Sequence, residues 1–424
     1  MDFPEGKKPE IIVVRTTSVE EARSFLLKHA RSITRIEQIE TAHGLNRVLA
    51  RTISSPIDVP GYDNSAMDGY AIRSEDITVE GETRLTISQR IAAGEGTKSL
   101  KSGLIPGQAA RIFTGAPLPN GADAVAMQEN CRVNGDSVYI TGPVSRGMNV
   151  RYQGNDIRAG TPVLSARTHL RPQALGIAAA MGLSTLPVFR RLRVALLSSG
   201  NEVVQPGTPL QIGQCYDSNR YTLFGLLANL GGEILDLGTI PDDLEATKEA
   251  LRHAASQADV VITSGGVSVG EEDHIKRAVE DVGQLDLWRI AVKPGKPLAY
   301  GRILDADFIG LPGNPVSVFV TFCLFVHPML LKRQGASYSF PIPRLVTAGF
   351  SWHQTGDRRE YARARLVSDE NGNPYKQRVV LFDRQGSGVL SSAVWADGLV
   401  EIPANTVIAS GDTVSYLSFT ELLG

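Results

Sequence analysis

The sequence predicts a multidomain α/β protein, a mostly parallel sheet accompanied by smaller β-rich domains, and three patterns carry that expectation. From Leu192 to Gly335, apolar strand-like runs alternate with helix-like runs, the pattern of βαβ units. From about Ile53 to Val144 the chain breaks instead into short β-prone pieces separated by Gly, Pro and Asn, and residues 344 to 424 return to that pattern. The stretches flanking the first β-rich region are mixed in character and read as two halves of one arm.

Taken in chain order, SVEEARSFLLKHA is an amphipathic helix that begins the arm, with Ser18 and Glu21 at capping-box spacing. RLTISQRIAAG, AARIFTGAPLP, DAVAMQEN and DSVYITG are strand pieces of a β-rich domain over 53–147. That domain looks inserted, because RPQALGIAAAMGL resumes helical character with Pro172 near its first turn. Residues 1–52 and 148–190 therefore read as one discontinuous N-terminal arm.

In the domain over 191–338, RVALLSSG, GEILDLGTI and DVVITSGG are strands. The helices between and after them are SNRYTLFGLLANLG, DDLEATKEALRHAASQA and EEDHIKRAVEDVG. LWRIAVKPGKP, AYGRI and DFIGLPGN continue the sheet, and PVSVFVTFCLFVHPMLLKRQG closes it with a helix that Pro315 opens and Gly335 stops. After PIPR, residues 339–424 form a small barrel-like β domain with turn signals such as DENGNP and ASGDT.

Composition narrows the function. The 424 residues are 42% hydrophobic, enough for a sizeable core, and the net charge of −2 excludes a general nucleic-acid-coating role, so any anion site is local. Cys131, Cys215 and Cys323 are far apart and form no CxxC, which indicates buried thiols rather than a disulfide framework or structural zinc. MDFPEGKKPE is charged where a signal peptide is apolar, and SVFVTFCLFVHPML is too short to span a bilayer. The expectation is a soluble cytoplasmic protein with neither nucleic acid nor membrane as partner.

Ligands of a parallel sheet bind beyond the carboxyl ends of its strands. SSGNEV, IPDD, TSGGVSVGEEDH and LPGNPVS all fall there. Gly265 and Gly266, after Ser264, let backbone approach a ligand, and the next helix start offers amides as an anion seat, although an ordinary turn needs the same glycines. The lysine of a P-loop is missing and Glu271, Glu272 and Asp273 stand in the loop instead. Glu202, Asp242 or Asp243, and Asp273 are hard oxygen donors that suit Mg²⁺ bridging carboxylate to phosphate, or they are helix caps.

VKPGKPLAYG places Lys293 and Lys296 on a turn stiffened by Pro294 and Pro297, beside LPGNPVS with its Ser317 hydroxyl. The combination suits an oxyanion receptacle, with a solvated hairpin turn as the plainer reading. DNSAMDGYAI gathers Asp63, Asn64, Ser65 and Asp68, which an Asx-turn before a strand would also explain. The seven histidines lie outside nucleophile-like motifs, and His274 reads as a surface residue at a helix start, so no Ser/His/Asp triad is indicated.

DNSAMDGYA, TGAPLP, TSGGVSVGEEDH, VKPGKP and LPGNPVS, in that order, resemble the molybdopterin molybdotransferases, the MoeA and gephyrin E-domain family, over nearly the whole chain. The resemblance implies an elongated four-domain homodimer with clefts shared between subunits. It also implies a Mg²⁺-dependent reaction, in which molybdenum from molybdate enters adenylylated molybdopterin and AMP leaves. By matching motif, Lys293, Lys296, Ser317, Arg363 of REYARARL and Ser387 of RQGSG look like molybdate ligands. Ser264, Gly265, Gly266, Pro312 and Pro315 look like further substrate contacts. Glu202, Asp242 and Asp273 resemble the metal and adenylyl-phosphate end, and Asp63, Thr114 and Asp156 of GNDIRAG resemble functional positions on the facing half of the cleft.

Arg289 departs from the lysine that the family pattern implies at that place. A molybdopterin adenylyltransferase and apo-molybdoenzymes are the implied partners. Two other functions fit parts of the same pattern. A non-catalytic scaffolding member would keep the fold and lose one pole, whereas both the acidic and the basic pole are present. A pterin adenylyltransferase would use the α/β domain without needing the DNSAMDGYA region.

Overall fold

The computed structural model describes residues 17–94, 103–266, 274–295, 297–368 and 377–424, with 287–289 described by their backbone. In the α/β domain, Arg193–Ser199 is buried along nearly its whole length, as the apolar run at 194–197 requires of a strand covered on both faces. It pairs in parallel with Glu233–Ile240 on one side and Val260–Ser264 on the other. Ala306–Leu311 continues the parallel sheet, and Pro297–Ile303 and Gln284–Arg289 extend it antiparallel. Because the second strand lies on one side of the first and the third on the other, a topological switch point opens between Ser199 and Ser264.

Helices cover both faces. Leu244–Gln257 begins at Asp243, whose carboxylate accepts from the Ala246 amide at 2.8 Å. The run 315–333 is one 19-residue helix with a π turn at Phe322–Val326; counted whole it is, contrary to the expectation from SVFVTFCLFVHPML alone, long and apolar enough by composition to cross a bilayer, but it is packed into the domain core. Gly335 stops it at φ +93.

Val19–His29 has the Ser18–Glu21 capping box in place. Its apolar stripe of Val19, Ala22 and Leu26 joins the same core as Phe325 and Leu330. This helix thus belongs by packing to the α/β domain, because its stripe finds a partner in the long helix. The arm itself starts with Ile36–Glu40, which pairs antiparallel with the sequence-distant Thr185–Phe189. Leu49, Leu170, Leu186 and Val188 form its core, and Arg190 fixes it to the sheet through two bonds to Asp259 at 2.7 and 2.6 Å.

Between the arm's halves lies a six-stranded sheet built from strands between residues 69 and 141, in an order that does not follow the sequence. At the C-terminus, Arg344–Ala348, Arg359–Ser368, Gln377–Leu381, Gly398–Ile402 and Thr413–Ser418 close into a barrel through the pairing of the second with the fourth. Val292–Lys293 pairs in parallel with Arg359 and Glu360, so the VKPG turn is hydrogen-bonded onto the barrel.

Candidate functional site

A cleft of about 920 Å³ lies where the carboxyl ends of the parallel strands meet the barrel. Ser199, Gly200, Gly265 and Gly266 form its floor at the switch point. Gly265 and Gly266 have φ of +87 and +65, and a Cβ on Gly265 would stand 2.6 Å from the Ser199 carbonyl oxygen. Only glycine lets these two strand ends approach so closely. Asn219 ties the floor to the next loop, its amide donating to Ser264 Oγ at 2.9 Å and to the Gly313 carbonyl at 2.7 Å. The buried Ser264 hydroxyl is therefore engaged behind the floor and does not line the cleft.

Glu202 and Asp242 line one end. Neither carboxylate accepts a hydrogen bond from a described residue, whereas the adjacent Asp243 is the helix cap, which settles which of the two neighbouring acids faces the cleft. Among the described residues no group of three or more His, Cys, Asp or Glu is gathered to hold a metal. Two carboxylates with no described hydrogen-bond partner beside a glycine floor nevertheless fit Mg²⁺, which keeps several waters and takes one or two carboxylates alongside phosphate. Asp273, with Glu271 and Glu272, lies outside the described residues.

Toward the barrel, Lys293, Pro294, Pro297, Pro312, Asn314 and Ser317 form the wall. Lys293 Nζ stands 3.0 Å from Glu360; the ammonium side chain is 46% exposed and the carboxylate side chain only 8%. Glu360 thus holds the lysine at the cleft's edge. Lys296 lies outside the described residues, as does the side chain of Arg289. Ser387 lines the cleft, and its carbonyl accepts from the Val316 amide at 3.0 Å, docking the barrel loop onto the first turn of the long helix. Pro315 fills the first helical position behind that contact and does not line the cleft.

Arg363, which the resemblance made a molybdate ligand, does not line the cleft. Its guanidinium is fully buried in the barrel, donating to Ser392 Oγ at 3.0 Å and to the carbonyls of Tyr361 and Gly386, both at 3.3 Å. Burial lowers its pKa to about 10, so it remains charged at neutral pH. Side chains alternate along Arg359–Ser368, so Glu360 and Arg363 point to opposite faces, and Glu360 has the cleft. Arg363 acts on the cleft from behind, bracing the Gln385–Ser387 loop through Gly386 and through its own backbone, whose amide donates to Gln385 at 2.8 Å.

Arg358, Glu360, Asp383 and Gln385 complete the barrel wall, and no motif announced them. The one usable signal was the charged RREY run opening a β-prone stretch.

Asp63, Thr114 and Asp156 belong to the N-terminal half and do not line the cleft of their own chain. Asp63 accepts from the Gln153 amide at 2.7 Å, and the Asp156 amide donates to the Val59 carbonyl at 3.0 Å. Thr114 donates through both its amide and its hydroxyl to one oxygen of Asp68, each at 2.8 Å, and those bonds hold the Asp68 carboxyl below its usual pKa.

Comparison with known proteins agrees along the chain. Residues 17–182 match the MoeA N-terminal region (domain I and II), 195–332 a probable molybdopterin binding domain, and 346–419 the MoeA C-terminal region (domain IV). A molybdopterin molybdenumtransferase of Haemophilus influenzae is 38% identical over 410 residues, which covers 96% of this chain and all of that one. The molybdopterin molybdenumtransferase of a Nostoc species is 39% identical over 397 residues, covering 91% of this chain and 88% of that one. The crystal structure of the molybdopterin biosynthesis moeA protein from Pyrococcus horikoshii OT3 superposes with a TM-score of 0.78 at 30% identity, covering 96% of this chain and all of the other.

Proposed function

The chain belongs to the MoeA family of molybdopterin molybdenumtransferases, and from that premise we propose that it takes molybdenum from molybdate and inserts it into adenylylated molybdopterin, releasing AMP. One observation carries the chemical detail: a single cleft holds two free carboxylates, Glu202 and Asp242, on a glycine floor, and Lys293, Ser317 and Ser387 along another wall. A substrate with a phosphoanhydride and an oxyanion needs both kinds of wall. Neither an adenylyltransferase nor a binding module calls for the oxyanion end.

Each residue has a task in this reading. The backbone around Gly265 and Gly266 seats the phosphate. Glu202 and Asp242 would hold Mg²⁺, which when bound supplies charge neutralisation at the phosphoanhydride. Lys293, Ser317 and Ser387 bind the molybdate dianion through charge-assisted and neutral hydrogen bonds. Arg363 keeps the Ser387 loop in place. Adenylylated molybdopterin arrives from an adenylyltransferase, and apo-molybdoenzymes take the product.

The test is transfer itself, measured as reconstitution of an apo-molybdoenzyme with molybdate titrated. Lys293→Ala is expected to raise the molybdate concentration for half-maximal transfer roughly tenfold or more, since a hydrogen bond to a charged group contributes ~1.5–3 kcal/mol. Stranding Glu360 would add to that loss, so Lys293→Ala is compared with Lys293→Ala/Glu360→Gln. A molybdate dependence unchanged in both removes Lys293 from the receptacle.

Asp63, Thr114 and Asp156 suit a homodimer in which they complete the neighbouring subunit's cleft. Mixing an Asp63→Asn subunit with an Asp242→Asn subunit then regenerates one intact cleft per dimer, while each mutant homodimer has none. The purified mixed dimer, made from differently tagged copies, is expected to release AMP faster than either homodimer. Activity no higher than the better homodimer, with both homodimers impaired, rules out sharing.

A further inference from the structure

A second cavity of about 430 Å³ opens beside the first, and Trp352, Gln354, Asp383 and Gln385 line both. Phe350, His353 and Phe382 add aromatic side chains to its lining and Val380 and Leu381 aliphatic ones, in a cavity within the size range of sites for small organic molecules. Its walls are held in place. The Trp352 indole N–H donates to the Gln354 carbonyl at 2.8 Å, and the Trp352 backbone bonds Ile408 in both directions, at 2.7 and 3.0 Å. Phe382 meets Trp395 edge-on with ring centroids 5.4 Å apart. Gln385 donates to the carbonyls of Arg363 and Phe382 at 2.9 Å each and accepts from the Arg363 amide, so it shapes the pocket and has little left to offer a ligand.

Asp383 is different. It is the one charged side chain common to both linings among the described residues, and it accepts no hydrogen bond from any of them. An ionised carboxylate only accepts. Beside aromatic faces it suits a planar ring that presents two neighbouring N–H donors on one edge. The aminopyrimidinone edge of a pterin has that arrangement, a ring N–H next to an exocyclic amino group. Adenine sets its amino group beside an acceptor nitrogen, which would face the carboxylate with a lone pair. Position agrees with chemistry, because Gln385 and Asp383 belong to the loop that carries Ser387, the oxyanion end of the cleft, rather than to the end with Glu202 and Asp242.

We infer that this pocket binds the pterin ring of the substrate, stacked against Trp352 with its aminopyrimidinone edge on Asp383. The identity of the ligand rests on the function proposed above. Seated there, the ring would direct the sulfur-bearing side chain that it carries toward the wall where Ser317 and Ser387 hold molybdate. The adenylyl phosphate then extends to the glycine floor.

Binding of 6-hydroxymethylpterin and of AMP is measured by calorimetry on the full chain, with wild type, Trp352→Ala, Trp352→Phe and Asp383→Asn compared. Loss of the stacking face in Trp352→Ala is expected to weaken pterin binding about tenfold, whereas Trp352→Phe keeps most of it. Asp383→Asn is expected to weaken pterin binding by a similar factor. AMP affinity stays the same in all four proteins. Absence of pterin binding to wild type, or equal pterin affinity in wild type, Trp352→Ala and Asp383→Asn, overturns the assignment. Weakening of AMP instead of pterin by Trp352→Ala also overturns it and gives the pocket to adenine. If molybdenum transfer is intact while pterin affinity ignores both substitutions, the pocket fails and the function stands. If the affinities fall as expected but wild type transfers no molybdenum, the function fails and the pocket stands.

Discussion

Replacing Asp242 by Asn is expected to reduce Mg²⁺-dependent AMP release by about 10²-fold or more while leaving the fold intact. The amide matches the carboxylate in size and removes the charge that recruits the cation, and metal-assisted charge stabilisation contributes several kcal/mol, each ~1.4 kcal/mol being a factor of ten in rate. Asp242 has no described hydrogen-bond partner for its carboxylate, so little stability depends on it. Its neighbour supplies the control. Asp243 caps Leu244–Gln257, so Asp243→Ala is expected to cost roughly 0.5–2 kcal/mol of stability and to leave AMP release near wild type. The two variants are compared by AMP release at limiting Mg²⁺ and by thermal melting. Normal turnover of Asp242→Asn at limiting Mg²⁺ would take this residue out of the metal site.

Gly265→Ala is expected to slow molybdenum transfer on the order of 10²-fold. The residue has φ +87, which costs a non-glycine residue roughly 1–2 kcal/mol, and its new Cβ would lie 2.6 Å from the Ser199 carbonyl oxygen. That oxygen belongs to the end of the first parallel strand, so relief of the contact must spread the switch point. A displacement of about 1 Å at a reacting centre can cost on the order of 10²-fold in rate. Gly207→Ala separates conformation from contact, because Gly207 has φ +94 and nothing within 4 Å of the added carbon. It is expected to lower stability similarly and to keep its transfer rate. Equal transfer rates in the two alanine variants would show that the close approach at Gly265 has no part in the reaction.

The α/β domain was legible because its elements announce themselves locally. The VALL of RVALLSS is an unbroken apolar run and lies in an interior strand of the sheet, and Pro315 and Gly335 mark the ends of the long helix by their backbone preferences alone. The poles of the site were partly legible for the same reason, since glycines, prolines and acids at strand ends form short motifs. Choices between neighbours were not. Asp242 and Asp243 differ only in which carboxylate turns back to the helix amides.

The barrel side of the cleft was the least legible. The pairing of Lys293 with Glu360 depends on two strands brought together from different domains, and nothing in VKPGKP announces it. Arg363 of REYARARL was an expected molybdate ligand through the resemblance alone, and strand alternation turns its side chain into the barrel and gives the cleft to Glu360. The partner of the Val19–His29 stripe was likewise invisible, because an amphipathic pattern says which face is buried and not against what. The expectation of a cleft shared between subunits came from the resemblance and not from Asp63, Thr114 or Asp156 themselves, whose local bonds would suit an ordinary turn equally well.

The central claim is that oxyanion and adenylylated pterin react in one cleft, and the most direct measurement of it counts both products in a single reaction. The protein is supplied with adenylylated molybdopterin, Mg²⁺ and molybdate, and AMP is quantified alongside molybdenum bound to the cofactor. The account predicts one AMP for each molybdenum inserted, with both falling together when molybdate is withheld. AMP released at the same rate without molybdate, or with no molybdenum in the pterin product, would contradict it.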